Sequence, residues 1–301
     1  MKILITGGLG HIGSHLIRAY SKDHEVTVVD DLSTKRYCSL MNLPNPIDFR
    51  EVGFEKLTKS ELEKFEAVIH LAAVTDAARG DSQSIEKINI NHTREFIQNL
   101  SRLNFAPLFI FPSSTSVYGT ASKIVKEDDE KCLKPQSYYA QAKLEIENFI
   151  RKHYPSYFIL RLGTIFGVTP GMRFHTAINH FCWSAANGLP VSVWEENYDF
   201  YRPYLDVKDA SRTIKHLLEK KEFNNETYNV LSGNYKCRKI LDIIKEHVSD
   251  LQIKMVSTPL LNQFSYKVDG KKIENTGMKM NGNLKKEILK TLETLRCVRK
   301  Y

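Results

Sequence analysis

The first thirteen residues read Met1-Lys-Ile-Leu-Ile-Thr-Gly-Gly-Leu-Gly-His-Ile-Gly13, an apolar run that leads directly into a glycine-rich segment. Gly7, Gly10 and Gly13 follow the run at the spacing GxxGxxG. Glycine permits a tight turn and a close approach of the backbone to a pyrophosphate, and a helix N-terminus favours negative charge. A strand, a glycine turn and a helix in this order therefore predict a dinucleotide-binding site. In that site His11 and Ile12 contribute backbone N–H groups.

Acidic residues end the second apolar run, Val28-Val29-Asp30-Asp31. Asp30 lies 17 positions beyond Gly13, near the place where a carboxylate accepts hydrogen bonds from the adenosine ribose. The 2′-phosphate of NADP would meet this acid with like charge. We therefore expect NAD(H), while the nearby Lys35 and Arg36 keep NADP(H) as an alternative.

Short apolar runs alternate with helical patterns through the first half of the chain, and this alternation is typical of βαβ units. The predicted fold class is α/β, a Rossmann-type doubly wound parallel sheet. The predicted strands are Ile3–Thr6, Val26–Asp30, Ala67–Leu71, Leu108–Phe111 and Phe158–Leu162, and the predicted helices include His11–Lys22, Ser82–Leu103 and Ser137–His153.

The pattern loosens beyond about residue 164 into short strands, helices and aromatic-rich loops. We assign residues 1–163 to an NAD-binding Rossmann domain and 164–301 mainly to a smaller C-terminal substrate-binding lobe. Segment 206–232 contains a helical and a strand-like pattern that can return to the sheet.

Composition narrows the class of protein. The 301 residues carry a formal net charge of +8, and 42% are hydrophobic, which is ordinary for a globular enzyme. The lysines are scattered, so we expect no nucleic-acid partner. No apolar stretch approaches the roughly 20 residues that span a bilayer, so no membrane partner is expected. The five cysteines show no CxxC pairing, so we expect no metal site and a cytoplasmic location.

A tyrosine and a lysine stand one helical turn apart in Tyr139-Ala-Gln-Ala-Lys143. The i,i+4 spacing puts both side chains on one helix face. A neighbouring ammonium favours the phenolate and makes a tyrosine, whose usual pKa is about 10, a stronger base near neutral pH. Upstream, Ser114 lies where the run Leu108–Phe111 ends, at the sheet edge where parallel sheets bind ligands. These residues are the candidate catalytic set.

Several motifs, in order, resemble the extended short-chain dehydrogenase/reductase family of NAD-dependent epimerases and dehydratases. They are TGGLGHIG, Asp30 with DLST, VIHLAA, Asn89 in NxxxT, SSTSVYG, YAQAK, LRLGTIFG, RPYLDVKDA and YNVLSGN, and together they cover nearly the whole chain. The cofactor residues that motif and resemblance imply are Gly7, Gly10, His11, Ile12, Gly13, Asp30, Asp31, Leu71, Ala72, Ala73, Asn89, Tyr139 and Lys143. The resemblance also implies a homodimer through the helices Ser82–Leu103 and Ser137–His153.

The chemistry that the resemblance implies is a reversible oxidation of a nucleotide-sugar, most similar to that of the UDP-hexose 4-epimerases. NAD⁺ would remove hydride from the sugar carbon while Tyr139 takes the hydroxyl proton, and the keto-sugar would receive hydride on its other face. Lys143 would assist Tyr139 and hold a ribose hydroxyl, and Ser114 would orient the reacting oxygen. Arg202 matches the family's diphosphate-binding arginine, and Thr164 stands where a substrate-binding asparagine is common.

Other positions depart from the family and leave alternatives open. Thr115 and Ser116 stand where dehydratases carry acids, which favours C4 epimerisation, although a net NAD(P)-dependent reductase, dehydrogenase or dehydratase remains an alternative and a non-catalytic sensor a third class. Thr258-Pro259 replaces a second phosphate-binding arginine, and Phe54 replaces an adenine-contacting acid. His70 is expected to be a buried histidine with its hydrogen bonds satisfied.

Overall fold

A parallel seven-stranded sheet forms the centre of the molecule in a computed structural model that describes residues 1–75, 82–119, 121, 123–219, 225–257 and 265–296. The order of its strands is β11-β7-β5-β4-β1-β2-β3. The strands of the chain are β1 (Lys2–Thr6), β2 (Glu25–Asp30), β3 (Asp48–Glu51), β4 (Ala67–His70), β5 (Leu108–Ser114), β6 (Ile124–Val125), β7 (Tyr157–Leu162), β8 (Thr164–Phe166), β9 (Val191–Trp194), β10 (Tyr201–Asp206), β11 (Glu226–Val230), β12 (Gly233–Lys236), β13 (Ile253–Val256) and β14 (Lys267–Val268).

The helices lie on both faces of this sheet and in a second lobe. They are α1 (His11–Tyr20), α2 (Lys59–Leu62), α3 (Ser82–Ser84), α4 (Thr93–Ser101), α5 (Tyr138–His153), α6 (Ala177–Ala186), α7 (Val207–Glu219), α8 (Cys237–Lys245), α9 (Lys271–Glu274) and α10 (Leu284–Leu295). A π-helical segment, Ile85–His92, joins α3 to α4.

The strand order reverses between β1 and β4, because β2 and β3 extend to one side of β1 while β5, β7 and β11 extend to the other. Ligands of doubly wound sheets bind outside the carboxyl ends of the strands at such a switch point. Ile3 shows the central position of β1, since it pairs in parallel with Val26 of β2 and with Ala67 of β4. The predicted α/β doubly wound fold is confirmed.

Apolar residues on the two faces of the sheet form separate layers of core. Helices α1 and α7 cover one face with Leu16, Ile17 and Ile214. Helices α4 and α5 cover the other face with residues such as Phe96 and Ile146. The strands between the layers are buried on both faces, which explains their almost continuous Val, Ile and Leu runs.

The second lobe packs a third core from α6, α8 and α10 against strands β9 and β10. Two small sheets accompany these helices, with β10 between β8 and β12, and β9 beside β13. Strand β11, from segment 206–232, lies at the edge of the large sheet beside β7. The boundary at residue 163 between the two assigned domains stays a prediction.

Two local features differ from the sequence prediction. Strand β3 was not predicted, because its residues Asp48–Glu51 are exposed or half-buried at the sheet edge and carry no apolar run. The helix predicted as one element over Ser82–Leu103 is interrupted by the π-helical segment and ends at Ser101. Within the described ranges, no helix is long and apolar enough to cross a membrane.

Candidate active site

The glycine turn after β1 has the close contacts that a dinucleotide cradle needs. Gly7 adopts a left-handed φ of +64°, and a Cβ there would lie 2.6 Å from the backbone of Ala72. A Cβ on Gly13 would lie 2.3 Å from the carbonyl oxygen of Gly8. Gly10 caps α1, whose first turn contains His11 and Ile12. Larger side chains would therefore push the turn away from β4 and from its own helix.

Asp30 ends β2 with its carboxylate directed at the glycine turn. Its two oxygens accept hydrogen bonds from the backbone N–H of Leu9 and of Leu32, each at 3.0 Å. Burial raises the pKa of Asp30, while these two donors and the Arg36 guanidinium act against the rise. Asp31 is exposed and bonds only locally, to the N–H of Ser33 among the described contacts.

A loop from the second lobe, residues 167–173, contacts the glycine turn, and we name it the crossing loop. The His11 imidazole Nε2 lies 2.7 Å from the carbonyl oxygen of Gly167. The backbone N–H of Gly171 donates to the Ser14 hydroxyl at 3.0 Å, and the Thr169 hydroxyl donates to the carbonyl of His11. Burial lowers the pKa of His11 to about 3. The neutral imidazole of His11 thus has a structural contact beyond the backbone N–H expected from the sequence.

Residues Leu71, Ala72 and Ala73 follow β4 and lie beside the glycine turn, half-buried. Beneath them, His70 is buried with Nδ1 2.9 Å from the Thr6 hydroxyl and Nε2 3.3 Å from the Thr93 hydroxyl. The Thr93 hydroxyl donates to a backbone carbonyl of the π-helical segment, so Nε2 of His70 must be the donor. Burial lowers its pKa to about 3. His70 is therefore a satisfied neutral histidine, as predicted.

The side chain of Asn89, in the π-helical segment, makes two hydrogen bonds with the start of the loop that follows β4. Its side-chain oxygen accepts the N–H of Val74 and its amide donates to the carbonyl of Val74, each at 2.8 Å. π-Helical turns within α-helices are frequent at functional sites. The arrangement holds the chain beside the cofactor cradle.

Tyr139 and Lys143 lie on the first two turns of α5, which the Ser137 hydroxyl caps by accepting the N–H of Ala140. The Lys143 ammonium is 5.8 Å from the centre of the Tyr139 ring and donates to the carbonyl of Pro112 at 2.8 Å. Burial lowers the pKa of Lys143 to about 7. Burial also raises the pKa of Tyr139, and the nearby Arg173 acts against that rise.

Ser114 is the last residue of β5, two positions after the carbonyl that Lys143 contacts. Its hydroxyl oxygen accepts the backbone N–H of Ser116 at 3.1 Å and the Ser116 hydroxyl at 2.9 Å. Helix α5 packs against the short turn that follows. The structure therefore brings Ser114 to the same sheet edge as the N-terminal turns of α5.

Arg202 lies on β10, where it lines a cavity together with Ser116, Tyr118 and Ser137. Its guanidinium lies 5.3 Å from the centre of the Tyr266 ring. Thr164 is the first residue of β8 and pairs with Tyr204 of β10, so Thr164 and Arg202 belong to the same small sheet. Thr258 and Pro259, which replace a second arginine, lie outside the described residues.

Phe54, in the place of an adenine-contacting acid, is part of the core. It is buried, and its ring packs edge-on against His70 with centres 4.7 Å apart. Its side chain therefore serves packing and offers no hydrogen-bonding group. Within the described ranges, no group of three or more histidine, cysteine or acidic side chains could hold a metal ion.

Sequence reasoning missed three polar residues near the candidate catalytic set. Arg173 on the crossing loop hydrogen-bonds the Thr75 hydroxyl. Glu147 and Arg161 form a fully buried ion pair, with Arg161 Nη2 2.8 Å from a Glu147 carboxylate oxygen. The signal was available, since Arg161 stands alone in an apolar strand, where a charged side chain requires a partner.

The model of the NAD dependent epimerase/dehydratase family matches residues 3–230 of the chain. An uncharacterized UDP-glucose epimerase of Bacillus subtilis (strain 168), YtcB, is 30% identical over 76% of this chain and 76% of its own length. The trifunctional UDP-glucose 4,6-dehydratase/UDP-4-keto-6-deoxy-D-glucose 3,5-epimerase/UDP-4-keto-L-rhamnose-reductase RHM3 of Arabidopsis thaliana is 26% identical over 97% of this chain. The chain spans only 46% of that plant protein's length.

Solved structures share the fold over almost the whole chain. The UDP-glucuronic acid 4-epimerase of Bacillus cereus, in complex with UDP-glucuronic acid and NAD, superposes with a TM-score of 0.88 at 22% identity, covering 98% of this chain and 99% of that one. The UDP-glucose 4-epimerase of Thermus thermophilus, in complex with NAD, gives a TM-score of 0.84 at 20% identity over 99% of each chain. At these identities the likeness establishes the fold alone.

Proposed function

The chain belongs to the NAD dependent epimerase/dehydratase family, and on that premise we propose that it binds NAD and epimerises C4 of a UDP-hexose through a transient 4-keto-sugar. The observation that carries this proposal is the placement of Tyr139, Lys143 and Ser114 at the carboxyl end of β5. That edge lies beside the switch point of the sheet, where the cofactor cradle also lies.

The residues present fit a dinucleotide. In the cradle formed by Gly7, Gly10 and Gly13, the positions of Gly7 and Gly13 leave no room for a side chain, so backbone N–H groups can approach a pyrophosphate. Asp30 keeps carboxylate oxygens near the turn for the adenosine ribose hydroxyls. We assign the ribose on the nicotinamide side to Lys143, whose ammonium uses one of three N–H groups on Pro112. When bound, NAD supplies a reversible acceptor for hydride from the sugar carbon.

Tyr139 is the proposed base and acid. Its phenolate takes the proton of the C4 hydroxyl and later returns it to the oxygen of the keto-sugar, so no net proton is consumed. The Lys143 ammonium stabilises the phenolate, because a positive charge nearby favours the ionised form. Ser114 holds the same sugar oxygen through its hydroxyl, whose proton is free to rotate toward the substrate since Ser114 accepts from Ser116.

Substrate contacts are proposed for Arg202 and Thr164. The Arg202 guanidinium lines a cavity together with Ser116, Tyr118 and Ser137. Its planar array of N–H donors suits diphosphate oxygens. Thr164 offers a hydroxyl in place of an amide. UDP as the nucleotide is supported by the substrates that the names of the similar 4-epimerases give.

Epimerisation is favoured over dehydration by the side chains that follow Ser114. Elimination of water needs a further acid and base near the sugar, whereas Thr115 and Ser116 offer only hydroxyls. The Thr115 hydroxyl lies 3.3 Å from the hydroxyl of Tyr266. Because dehydratases are also among the similar proteins, a dehydratase or a net reductase is the second candidate.

A homodimer is proposed through α5 and the helical segment from α3 to α4. Tyr138 is about half exposed on α5, beside a surface cavity lined by Glu86, Ile90 and Arg94. Arg94 bridges the two helices by an ion pair with Glu145 at 2.8 Å. Sedimentation velocity should give about twice the 34.7 kDa chain mass, and a monomer at micromolar concentration would contradict the proposal.

A cytoplasmic location is proposed from the cysteines. In the described part of the chain Cys38, Cys132, Cys182 and Cys237 are all free thiols. Free thiols are typical of reducing compartments.

The test uses purified protein without added cofactor and a panel of UDP-, GDP-, CDP- and dTDP-sugars followed by proton NMR. Interconversion of C4 epimers at constant mass would support the epimerase and identify its substrate. Turnover that requires stoichiometric NAD(P)H, or loss of water from the sugar, would instead favour the second candidate.

A further inference from the structure

A buried carboxylate with no assigned role lies one helical turn beyond Lys143. Glu147 is fully buried in α5. It accepts hydrogen bonds from Arg161 through Nε at 3.1 Å and Nη2 at 2.8 Å, and from Arg151 Nη2 at 2.8 Å. The Ser113 hydroxyl donates to it at 2.5 Å. Both carboxylate oxygens of Glu147 thus accept hydrogen bonds, and two of the donor groups are guanidinium groups.

The donors to Glu147 come from the elements that build the site. Ser113 directly precedes Ser114 on β5, and Arg161 lies on β7. Arg161 Nη1 continues the network to the Tyr118 hydroxyl at 2.7 Å, and Tyr118 donates to Asn229 of β11. One carboxylate thereby ties the helix that carries Tyr139 and Lys143 to three strands of the sheet.

Glu147 is also a negative charge that acts on Lys143. Burial lowers the pKa of Lys143 to about 7, Glu147 raises it, and Arg173 lowers it further. His70 also faces Lys143, but it is neutral. Arg151 and Arg161 contact the same carboxylate. Near neutral pH, the protonation of Lys143 therefore depends on Glu147.

We propose that Glu147 is a positioning residue for the reaction: it fixes the Tyr139–Lys143 helix against Ser114 and sustains the positive charge of Lys143. This inference rests on the proposed function for its kinetic part. Its electrostatic part concerns only the folded protein and can be measured without substrate.

The first experiment is an NMR titration of protein labelled with ¹³C at lysine Cε, with the Lys143 signal assigned by its loss in Lys143→Met. In Glu147→Gln we expect the titration midpoint of Lys143 to fall by about one pH unit or more. Arg151→Gln is the matched control, because it removes a donor to the same carboxylate and leaves the charge of Glu147 in place. Its Lys143 midpoint should stay within a few tenths of the wild-type value.

The second experiment compares kcat of Glu147→Gln with wild type between pH 6 and pH 8. The loss should be about fivefold greater at pH 8 than at pH 6, because a midpoint that falls from about 7 to about 6 leaves about half of Lys143 protonated at pH 6 but only about one part in a hundred at pH 8. A purely structural role would lower kcat by the same factor at every pH. Wild-type inactivity toward every sugar would refute the proposed function and leave the titration result standing.

If Glu147→Gln does not fold, the titration is carried out on the double variant Glu147→Gln/Arg161→Met. This variant removes both members of the buried ion pair, so no unpaired guanidinium remains at position 161. A lower Lys143 midpoint in either variant supports the proposal. An unchanged midpoint together with a pH-independent loss of kcat overturns it.

Discussion

Tyr139 is the residue on which the proposed reaction depends most directly, because it exchanges a proton with the sugar oxygen. Its surroundings resist ionisation, since burial raises the pKa of the phenol. The positive charge of Arg173 opposes that effect, and the Lys143 ammonium lies 5.8 Å from the centre of the phenol ring. In the proposed mechanism Tyr139 depends on neighbouring cations to act as a base, and the loss of its hydroxyl should stop the chemistry without disturbing the fold.

Tyr139→Phe is predicted to lower turnover by at least about a hundredfold, the lower limit for loss of a positioned general base. NAD affinity should change little, because the glycine cradle is untouched. Tyr138→Phe is the matched control, since Tyr138 is the adjacent residue and is about half exposed. Initial rates and an NAD-binding isotherm for both variants check this, and wild-type turnover by Tyr139→Phe would refute the proposed mechanism.

Asp30→Asn is predicted to weaken NAD binding by about tenfold or more, because a hydrogen bond to a charged group contributes about 1.5–3 kcal/mol. The amide keeps the size of the side chain but replaces one acceptor oxygen beside the glycine turn. Asp23→Asn should bind almost as wild type does, because Asp23 is exposed and lies beyond the C-terminal end of α1, away from the glycine turn. Isothermal titration of cofactor-stripped protein measures both, and equal effects at the two positions would contradict the ribose assignment.

At the residue scale, sequence reasoning identified groups whose chemistry is local in a motif. Tyr139, Lys143 and Ser114 stand in short patterns at recognisable spacing. Glu147 was not identified, because its role depends on Arg161 and Ser113, which are distant in sequence and adjacent only in the fold. A lone glutamate on a helix is usually a solvated surface residue.

At the scale of elements, the crossing loop joins the second lobe to the glycine turn. Gly171 packs so closely that a Cβ would lie 2.4 Å from the carbonyl oxygen of Leu9 and 2.5 Å from that of Gly10. The crossing loop therefore packs against the backbone of the glycine turn, as do the residues that follow β4. A displacement of the crossing loop should therefore also displace the glycine turn, which is the proposed cofactor site.

Gly171→Ala is predicted to lower both the melting temperature and the NAD affinity, because the added methyl group must push the loop off the turn. Gly188→Ala is the control: a Cβ there meets open space, and its φ of +63° costs only about 1–2 kcal/mol of backbone strain. The control should lower stability and leave NAD affinity unchanged. Equal NAD affinity in the two variants would show that the loop does not support the cradle.

The elements themselves were predicted to different extents. The buried strands such as β4 and β7 were recognised because both faces are covered and their sequences are continuously apolar. Edge strand β3 lacks that signal, since it buries few side chains. The π-helical segment Ile85–His92 was missed because it differs from an α-helix only by one added residue per turn, which apolar periodicity does not resolve.

At the scale of the whole molecule, two buried histidines connect pH to stability. His11 and His70 are almost fully buried, and burial lowers the pKa of each to about 3, below the usual value of 6.5. Between about pH 6.5 and pH 3 the unfolded chain binds a proton at each histidine that the folded chain does not bind. The stability should therefore fall as the pH is lowered through this window, by about 1.4 kcal/mol per pH unit for each histidine.

His70→Gln is predicted to reduce the slope of the free energy of unfolding against pH by the contribution of about one proton. This holds whatever the variant does to the stability at neutral pH. The exposed His180 provides the control variant His180→Gln, which should keep the wild-type slope. Urea unfolding at several pH values between 4.5 and 7 measures the slopes. An unchanged slope in His70→Gln would show that His70 gains a proton in the folded state.

The overall topology followed from the sequence because βαβ units have one preferred hand and place strand ends at a common edge. The arrangement of the second lobe did not follow. Its core depends on side chains from α6, α8 and α10, which are far apart in sequence and alternate with loops. The surroundings of Arg202, including Tyr266, were therefore seen only in the structure.

The most direct test of C4 epimerisation follows an isotope at the reacting carbon. A UDP-hexose with deuterium at C4, chosen from the substrate panel, would be incubated with the purified enzyme in ordinary water and examined by NMR. We predict that the inverted product keeps deuterium at C4, and that in heavy water no deuterium enters C3 or C5. Loss of the label to solvent, or exchange at C3 or C5, would contradict reversible oxidation at C4.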